Sequence, residues 1–184
     1  MKENVKIWLK EGKQSKITPS IEKLAFRFSG NDFEKIMDII KWIDKNLKNI
    51  KDNKQRLKIF AKRSVDKILK DGFSTGCHDN AVVFVTLCRA VGIPAKYVVG
   101  IDKFNPKNRG HCVAEVYINN NWILVDPDSK IINLDIEGSF FYNNYFIIGK
   151  GLDSWDVKIK SFKSWKEKSN KLIKLLSTIS KIAS

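Results

Sequence analysis

The chain has 184 residues, of which 43% are hydrophobic, a size and composition that predict a single domain over residues 1–184 with one hydrophobic core. It shows no run of about 18 apolar residues and no signal-peptide pattern, so we expect no transmembrane segment and a cytoplasmic location. The net charge is +14, but residues 71–130 hold six basic and six acidic side chains, and 29 of the 34 basic residues are lysine rather than arginine. This distribution favours a solvated surface over nucleic-acid binding as the main role.

Residues 1–70 are predicted to be mainly helical. Short helices are expected around the run KIWLK and over residues 21–28. Ser29 or Asn31 has the chemistry of an N-cap, and the helix that follows carries an apolar stripe at helical spacing. The stripe comprises Phe33, Ile36, Met37, Ile40, Ile43 and Leu47. A second helix is predicted from about Lys54 to Lys70, ended by Asp71 and Gly72.

Residues 71–130 carry the chemically informative pattern. Cys77 opens an apolar helix in the run GCHDNAVVFVTLCRAVGIPA, where apolar positions recur every three to four residues and the Gly-Ile-Pro sequence ends the helix. Gly76 allows a tight turn into the helix and a close approach of substrate to the backbone. His78 is expected at the surface, and Asp79 is expected to cap the first helical turn.

Strands are predicted next, in the runs AKYVVGI, CVAEVYI and NWILVD. Asn119 and Asn120 can both adopt positive φ in a two-residue hairpin between the last two runs. That turn places Ile118 opposite Asn121, and His111 then becomes the diagonal neighbour of Asp126 on one sheet face. The register therefore predicts a contact between His111 and Asp126.

Residues 131–184 are expected to form a C-terminal extension of the same domain. An irregular aromatic stretch leads to a possible strand over Tyr145–Ile148 and then to a loop over Gly149–Gly151. A terminal amphipathic helix is predicted from about Lys160 to Ile182, and its apolar stripe is expected to dock on its own domain.

The three cysteines are odd in number and lack CxxC spacing, which argues against a disulfide framework and suits a reducing compartment. Cys88 falls on the buried stripe of its helix, and Cys112 falls on the sheet face opposite His111. Both are expected to be small core residues. Cys77 alone has the setting of a nucleophile.

Cys77, His111 and Asp126 are the candidate catalytic residues. A thiol is a useful nucleophile as the thiolate, and an adjacent imidazole that accepts its proton supplies that form near neutral pH. The positive end of the helix dipole favours the same anion, and the backbone N–H of Cys77 could donate to an oxyanion. Asp126 could hold the imidazole tautomer and stabilise the imidazolium.

The runs GC-x-D-x-A, CRAVGIPAKYVVGI, GH-x-x-AEVY and W-x-x-VDP resemble the transglutaminase-like superfamily of papain-fold cysteine enzymes. The similarity is close over about residues 71–130 and looser over the upstream half. It implies an α+β, papain-like fold in which the nucleophile helix packs on an antiparallel sheet, with a helical N-terminal half and a C-terminal helix. It also gives Cys77, His111 and Asp126 the three positions of a catalytic triad.

In that superfamily the cysteine attacks a carboxamide or peptide carbonyl, and the resulting thioester is released to water or to an amine. The resemblance therefore implies a cysteine hydrolase or acyltransferase with a protein or peptide substrate, and it favours hydrolysis. No metal and no organic cofactor is implied. The substrate, the choice between water and an amine, the second oxyanion donor and the oligomeric state stay open at this point.

Three alternatives compete with the enzyme hypothesis. The superfamily includes members that have lost catalysis, so a non-catalytic binding module on the same fold is the main one. A zinc site using Cys77 with His78 and His111 with Cys112 is less favoured, because adjacent strand residues point to opposite faces and His111 and Cys112 could not easily share an ion. A basic nucleic-acid-binding protein is the third.

Overall fold

The computed structural model describes residues 4–107 and 110–182, the last three of these by their backbone alone. The helices are a 3-10 helix over Val5–Leu9, α1 over Pro19–Ala25, α2 over Asp32–Asn46, α3 over Asn53–Ile59, α4 over Val65–Asp71, α5 over Cys77–Ala90, α6 over Phe140–Asn144 and α7 over Phe162–Ile182. The strands are β1 over Lys48–Asn49, β2 over Phe73–Ser74, β3 over Ala95–Asp102, β4 over Gly110–Ile118, β5 over Asn121–Asp126, β6 over Ile131–Asn133 and β7 over Tyr145–Gly151. The predicted α+β fold is confirmed.

The long helix of the N-terminal half, α2, begins as its sequence predicts. The side chain of Asn31 accepts from the backbone N–H of Glu34 at 3.0 Å, and the Glu34 carboxylate accepts from the N–H of Asn31 at 2.8 Å. These reciprocal bonds form a capping box. Ile36, Ile40 and Ile43 of the predicted stripe are buried, whereas Phe33 is 44% exposed.

The prediction of one helix from Lys54 to Lys70 is wrong, because the chain breaks it into α3 and α4. Ala61 lies between them with φ 57°, a left-handed conformation that ends a helix. Its carbonyl accepts from the Trp155 indole N–H at 2.7 Å, and the Ser64 side chain caps α4. Long-range contacts therefore override a continuous helical pattern here.

The main sheet has the strand order β6-β5-β4-β3-β7, and neighbouring strands are antiparallel. Helix α5 packs on one face of this sheet, where Tyr97 and Cys112 join the same apolar core as the helix. The opposite face carries a smaller cluster of Val113, Leu124 and Phe141. Each strand thus presents alternate residues to two different environments.

The predicted strand at Tyr145 is confirmed, but the loop predicted over Gly149–Gly151 is wrong. The strand β7 continues through Gly151 and pairs with β3. A Cβ added at Gly149 would lie 2.9 Å from Val157 Cβ, and one at Gly151 would lie 2.9 Å from Val157 Cγ1. The glycines therefore serve close packing of the strand against Val157, which the sequence pattern does not reveal.

The terminal helix α7 docks next to the start of β4. A Cβ at Gly110 would lie 2.8 Å from Cζ2 of Trp165, so the indole packs directly on the strand backbone. The hydroxyl of Ser169 donates to the carbonyl of Pro106 at 2.7 Å. Within the described ranges, no helix combines the length and the apolar character needed to cross a membrane.

Buried side chains also join the first segment of the chain to the region after β7. The carboxylate of Asp153 accepts from the backbone N–H of Gln14 at 2.9 Å and from that of Ser15 at 3.1 Å. The Ser154 hydroxyl donates to the Gln14 side chain at 2.7 Å. All four side chains are fully buried, so these bonds lie inside the protein rather than on its surface.

Candidate active site

Cys77 is the first residue of α5, as predicted, and it is partly exposed. Gly76 before it has φ 106° and ψ −149°, a region that residues with a side chain avoid. The carbonyl of Gly76 accepts from the N–H of Asn80 at 3.1 Å, which closes the first helical turn. As the first helical residue, Cys77 has a backbone N–H without an intrahelical acceptor, and that N–H is available to a ligand.

The hairpin of β4 and β5 has the predicted turn and register. Asn119 and Asn120 have φ values of 49° and 64°, and Ile118 pairs with Asn121. His111 and Asp126 accordingly share one sheet face, where Nε2 of His111 lies 2.6 Å from Oδ2 of Asp126. The predicted contact between them is confirmed.

Helix α5 approaches the sheet where β5 has ended. The last pair of the β4–β5 ladder is Ala114 with Val125, so His111 and Cys112 extend beyond it along β4. Cys77 lies against this open edge of β4. Its sulfur accepts from the backbone N–H of Cys112 and is hydrogen-bonded to the side chains of both His111 and Cys112. Because Asp126 occupies Nε2 of His111, Nδ1 is the ring nitrogen left to face Cys77.

These contacts favour the charged forms of the three residues. The thiol of Cys112, the imidazole of His111 and the N–H of Cys112 hold the pKa of Cys77 well below its usual range, against the opposing effect of burial. Burial lowers the pKa of His111, but its bonds to Asp126 and Cys77 outweigh this and raise it to about 10. His111 therefore retains its proton at neutral pH, and the lowered pKa of Cys77 favours a thiolate beside it.

Asp126 is held by more than His111. Burial raises the pKa of its carboxyl, but the bond and the charge of His111 outweigh burial, and the net pKa is lowered. Its second oxygen accepts from the backbone N–H groups of Asp128 and Ser129 at 3.0 and 3.1 Å. Asp128 in turn accepts from the Asn80 amide at 2.6 Å, which joins the end of β5 to α5.

The expectation that His78 lies at the surface is wrong. The ring is fully buried between Phe60 and Tyr97, and its Nδ1 lies 2.9 Å from the Asp79 carboxylate. Asp79 also forms a buried ion pair with Arg63 at 2.5 Å. Its carboxylate accepts from the N–H of Thr75 at 2.8 Å, so Asp79 caps the turn before α5 rather than the first turn of the helix.

Two cavities flank the Cys77–His111 contact. The larger, of about 320 Å³, is lined by His111 and Asp126 together with Phe140, Phe141 and Tyr145. The smaller, of about 180 Å³, is lined by Cys77 and Cys112 together with Phe60, Phe162 and Trp165. The segment after Asp126 lines the larger cavity with Ser129 and Ile131 and does not fill it.

Sequence reasoning missed two features of this site. Cys112 is buried, as predicted for a small core residue, but the prediction did not include its contact with Cys77. The signal for this contact is that β5 ends at Asp126 and so leaves the preceding part of β4 open to the helix. The contribution of α7 through Trp165 had no sequence signal, because nothing in the amphipathic pattern says where a helix docks. Among the described residues, no group of three histidine, cysteine, aspartate or glutamate side chains is placed to hold a metal ion.

Comparisons with known proteins agree with the predicted family. The sequence model of the Transglutaminase-like superfamily matches residues 22–127, which is more than half of the chain. The chain therefore belongs to the transglutaminase-like superfamily. No curated protein gives a match.

Among solved structures, a crystal structure from Cytophaga hutchinsonii named "Putative Cysteine Protease" is similar, with a TM-score of 0.64 and 24% sequence identity. The alignment covers 85% of this chain and 50% of that one, so the chain spans about half the length of the solved structure it matches. At this identity the similarity supports the fold alone.

Proposed function

We propose that this protein is a cysteine enzyme that cleaves an amide bond by acyl transfer through a Cys77 thioester. The observation that carries the proposal is the hydrogen-bonded series at the start of α5, in which Cys77 contacts His111 and His111 contacts Asp126 at 2.6 Å. A thiolate paired with an imidazolium, whose far nitrogen is held by a carboxylate, is the arrangement that nucleophilic thiol catalysis requires.

In the first half of the proposed reaction, the Cys77 thiolate attacks the carbonyl carbon and forms a C–S bond. The electron pair of the C=O bond moves to oxygen, and the backbone N–H of Cys77 donates to this oxyanion. The oxyanion then collapses and the C–N bond breaks. His111 donates its proton to the departing nitrogen, so an amine or ammonia leaves and a thioester remains.

In the second half, His111 is neutral and acts as the base. It takes a proton from water as the water oxygen attacks the thioester carbonyl, and the C–S bond breaks to return the thiolate. Asp126 holds the imidazole orientation throughout, because its carboxylate is bonded to Nε2. We favour hydrolysis of a peptide or glutamine-type carboxamide, with the cavities on either side of Cys77 and His111 receiving the two parts of the substrate.

The proposed thiol chemistry suits a reducing compartment, and we propose the cytoplasm. Cys77, Cys88 and Cys112 all have free thiols in the described structure. A thiolate nucleophile with a lowered pKa is readily oxidised, so a reducing environment keeps it active.

The test is selective labelling of Cys77 followed by capture of the thioester. At neutral pH we expect iodoacetamide to modify Cys77 well before Cys88 or Cys112, because those two thiols are buried and burial raises the pKa of each. Peptide and glutamine libraries should then give an acyl adduct on Cys77 by mass spectrometry. Cys88→Ala is the matched control that should keep the adduct, and Cys77→Ala should lose it.

Other outcomes would support the alternatives. Equal labelling of all three thiols in the folded protein, with no acyl adduct, would favour the non-catalytic binding module. Tight and salt-sensitive binding of nucleic acid that is unchanged in Cys77→Ala, again without thiol reactivity, would favour a role for the lysine-rich surface.

A further inference from the structure

The sulfur of Cys77 has a partner on the side away from His111, and that partner is a second thiol. Cys112 follows His111 on β4, and strand alternation turns its side chain toward α5 while His111 faces the other side of the sheet. Both thiols line the same cavity, and the side chain of Cys112 is hydrogen-bonded to Cys77. The two side chains of one dipeptide thus contact the nucleophile from opposite faces of the strand.

A third residue orients the Cys112 thiol. Tyr97 is the diagonal neighbour of Cys112 across the β3–β4 ladder, because Val99 pairs with Cys112 and Tyr97 pairs with Ala114. The Tyr97 hydroxyl donates to the Cys112 sulfur at 2.9 Å. Tyr97 is fully buried, and burial raises its pKa, so the phenol stays protonated and acts as the donor.

The direction of the second bond follows from the same reasoning. Burial and the neighbouring Cys77 raise the pKa of Cys112, so Cys112 keeps its proton while Cys77 is ionised. The sulfur of Cys112 accepts from Tyr97, and its own S–H is then free to donate to the Cys77 thiolate. The series runs from Tyr97 through Cys112 to Cys77, and each bond has one donor and one acceptor.

We propose that Cys112 is a positioning residue for the nucleophile, with its S–H, oriented by Tyr97, donating to the Cys77 thiolate on the side opposite His111. This inference rests on the proposed function, since it assigns a role at the same site. Cys112 keeps its proton, so its S–H can donate to the Cys77 thiolate before the attack and again when the C–S bond of the thioester breaks and returns the thiolate. The S–H and the backbone N–H of Cys112 thereby fix the position of the Cys77 thiolate.

The experiment measures the pKa of Cys77 from the pH dependence of its alkylation by iodoacetamide, with the modified site identified by peptide mass spectrometry. A hydrogen bond to a charged group is strong enough that Cys112→Ala should raise this pKa by about one unit, which lowers the rate about tenfold on the acidic side. Cys112→Ser keeps a donor and should stay close to the wild-type pKa. Tyr97→Phe should raise the pKa by less, and Cys88→Ala, which removes a distant buried thiol, should leave it unchanged.

The outcomes separate this inference from the proposed function. If wild-type Cys77 reacts no faster than an ordinary thiol, the proposed function fails. If wild-type Cys77 is reactive but folded Cys112→Ala has the same pKa, or if Cys88→Ala shifts it equally, only the role of Cys112 is overturned. If Cys112→Ala does not fold, Tyr97→Phe is the deciding variant. An unchanged Cys77 pKa in Tyr97→Phe would overturn the proposal that Tyr97 orients the Cys112 S–H toward Cys77.

Discussion

The protein contains two histidine–aspartate pairs close to Cys77, and they differ in burial and in the other partners of their carboxylates. His78 lies 2.9 Å from Asp79 at the start of α5, and His111 lies 2.6 Å from Asp126 at the end of the hairpin. The side chain of His78 has no exposure, whereas that of His111 is 20% exposed beside a cavity. The first pair lies inside the fold, and the second lies at its open edge.

The remaining partners of each carboxylate explain the difference. Asp79 shares its charge with the guanidinium of Arg63, so its pairing with His78 is part of a buried ion pair that anchors the helix start. The second oxygen of Asp126 accepts from backbone amides and has no such cation in the described contacts. Its charge is therefore directed at His111. A histidine that contacts a carboxylate is a candidate base only where that carboxylate has no second cationic partner and the ring is accessible.

The largest difference between the two pairs is expected when each histidine in turn is replaced by asparagine. His111→Asn removes the proposed acid and base, and we expect turnover of an identified substrate to fall at least about 10⁴-fold. His78→Asn keeps an amide donor for Asp79 and should change turnover only a few-fold. Steady-state kinetics on the two variants measures this, and equal losses would erase the distinction between the pairs.

A similar contrast is expected between the two aspartates in catalysis. Asp126→Asn should keep the fold but lose about 10³- to 10⁴-fold in kcat, because an amide at this position favours the wrong imidazole tautomer. Circular dichroism should show an unchanged fold. An active Asp126→Asn variant would mean that Asp126 only shapes the end of the strand.

The buried pair should matter for stability instead. Asp79→Asn leaves the guanidinium of Arg63, which is nearly fully buried, with one carboxylate fewer, and we expect the free energy of unfolding to fall by about 3 kcal/mol. Urea denaturation measures the loss, with Asp126→Asn as the matched variant and a smaller expected loss of about 1.5 to 2.5 kcal/mol, which corresponds to the fall in the His111 pKa when its carboxylate partner is removed. A larger loss in Asp126→Asn than in Asp79→Asn would reverse the comparison.

The smallest effect concerns the alkaline side of the pH profile. The pKa of folded His111 is raised to about 10, so the proton it donates is present below that pH and is lost as the pH rises through it. Activity should therefore fall near pH 10. In Asp126→Asn, the residual activity should be lost about one to two pH units earlier, because the carboxylate that favours the imidazolium is gone. Asp79→Asn should leave this limb in place.

Much of the site could be predicted because its signals are local. Gly76 before an apolar helix fixes where Cys77 lies on α5, and an Asn-Asn turn fixes the register that brings His111 to Asp126. These rules act over a few residues and require no knowledge of the rest of the chain.

The features that the sequence did not predict depend instead on contacts between distant segments. The break at Ala61 depends on Trp155, a residue 94 positions away. The burial of His78 depends on Arg63, whose ion pair with the next residue draws the helix start into the core. The contact of Cys112 with Cys77 depends on where a neighbouring strand ends. Such features arise from packing between distant segments, and sequence periodicity carries no information on them.

The buried bonds between Gln14, Ser15 and Asp153 have a consequence for synthesis on the ribosome. Gln14 and Asp153 are separated by 139 positions, so this contact cannot form until residue 153 has emerged from the ribosome. The N-terminal segment also accepts from Arg89 of α5 through the carbonyl of Trp8, so the same segment contacts both α5 and the region after β7. The growing chain therefore carries an unfinished, isoleucine-rich helical half until its last strand is made, and that interval is when it most needs protection from aggregation.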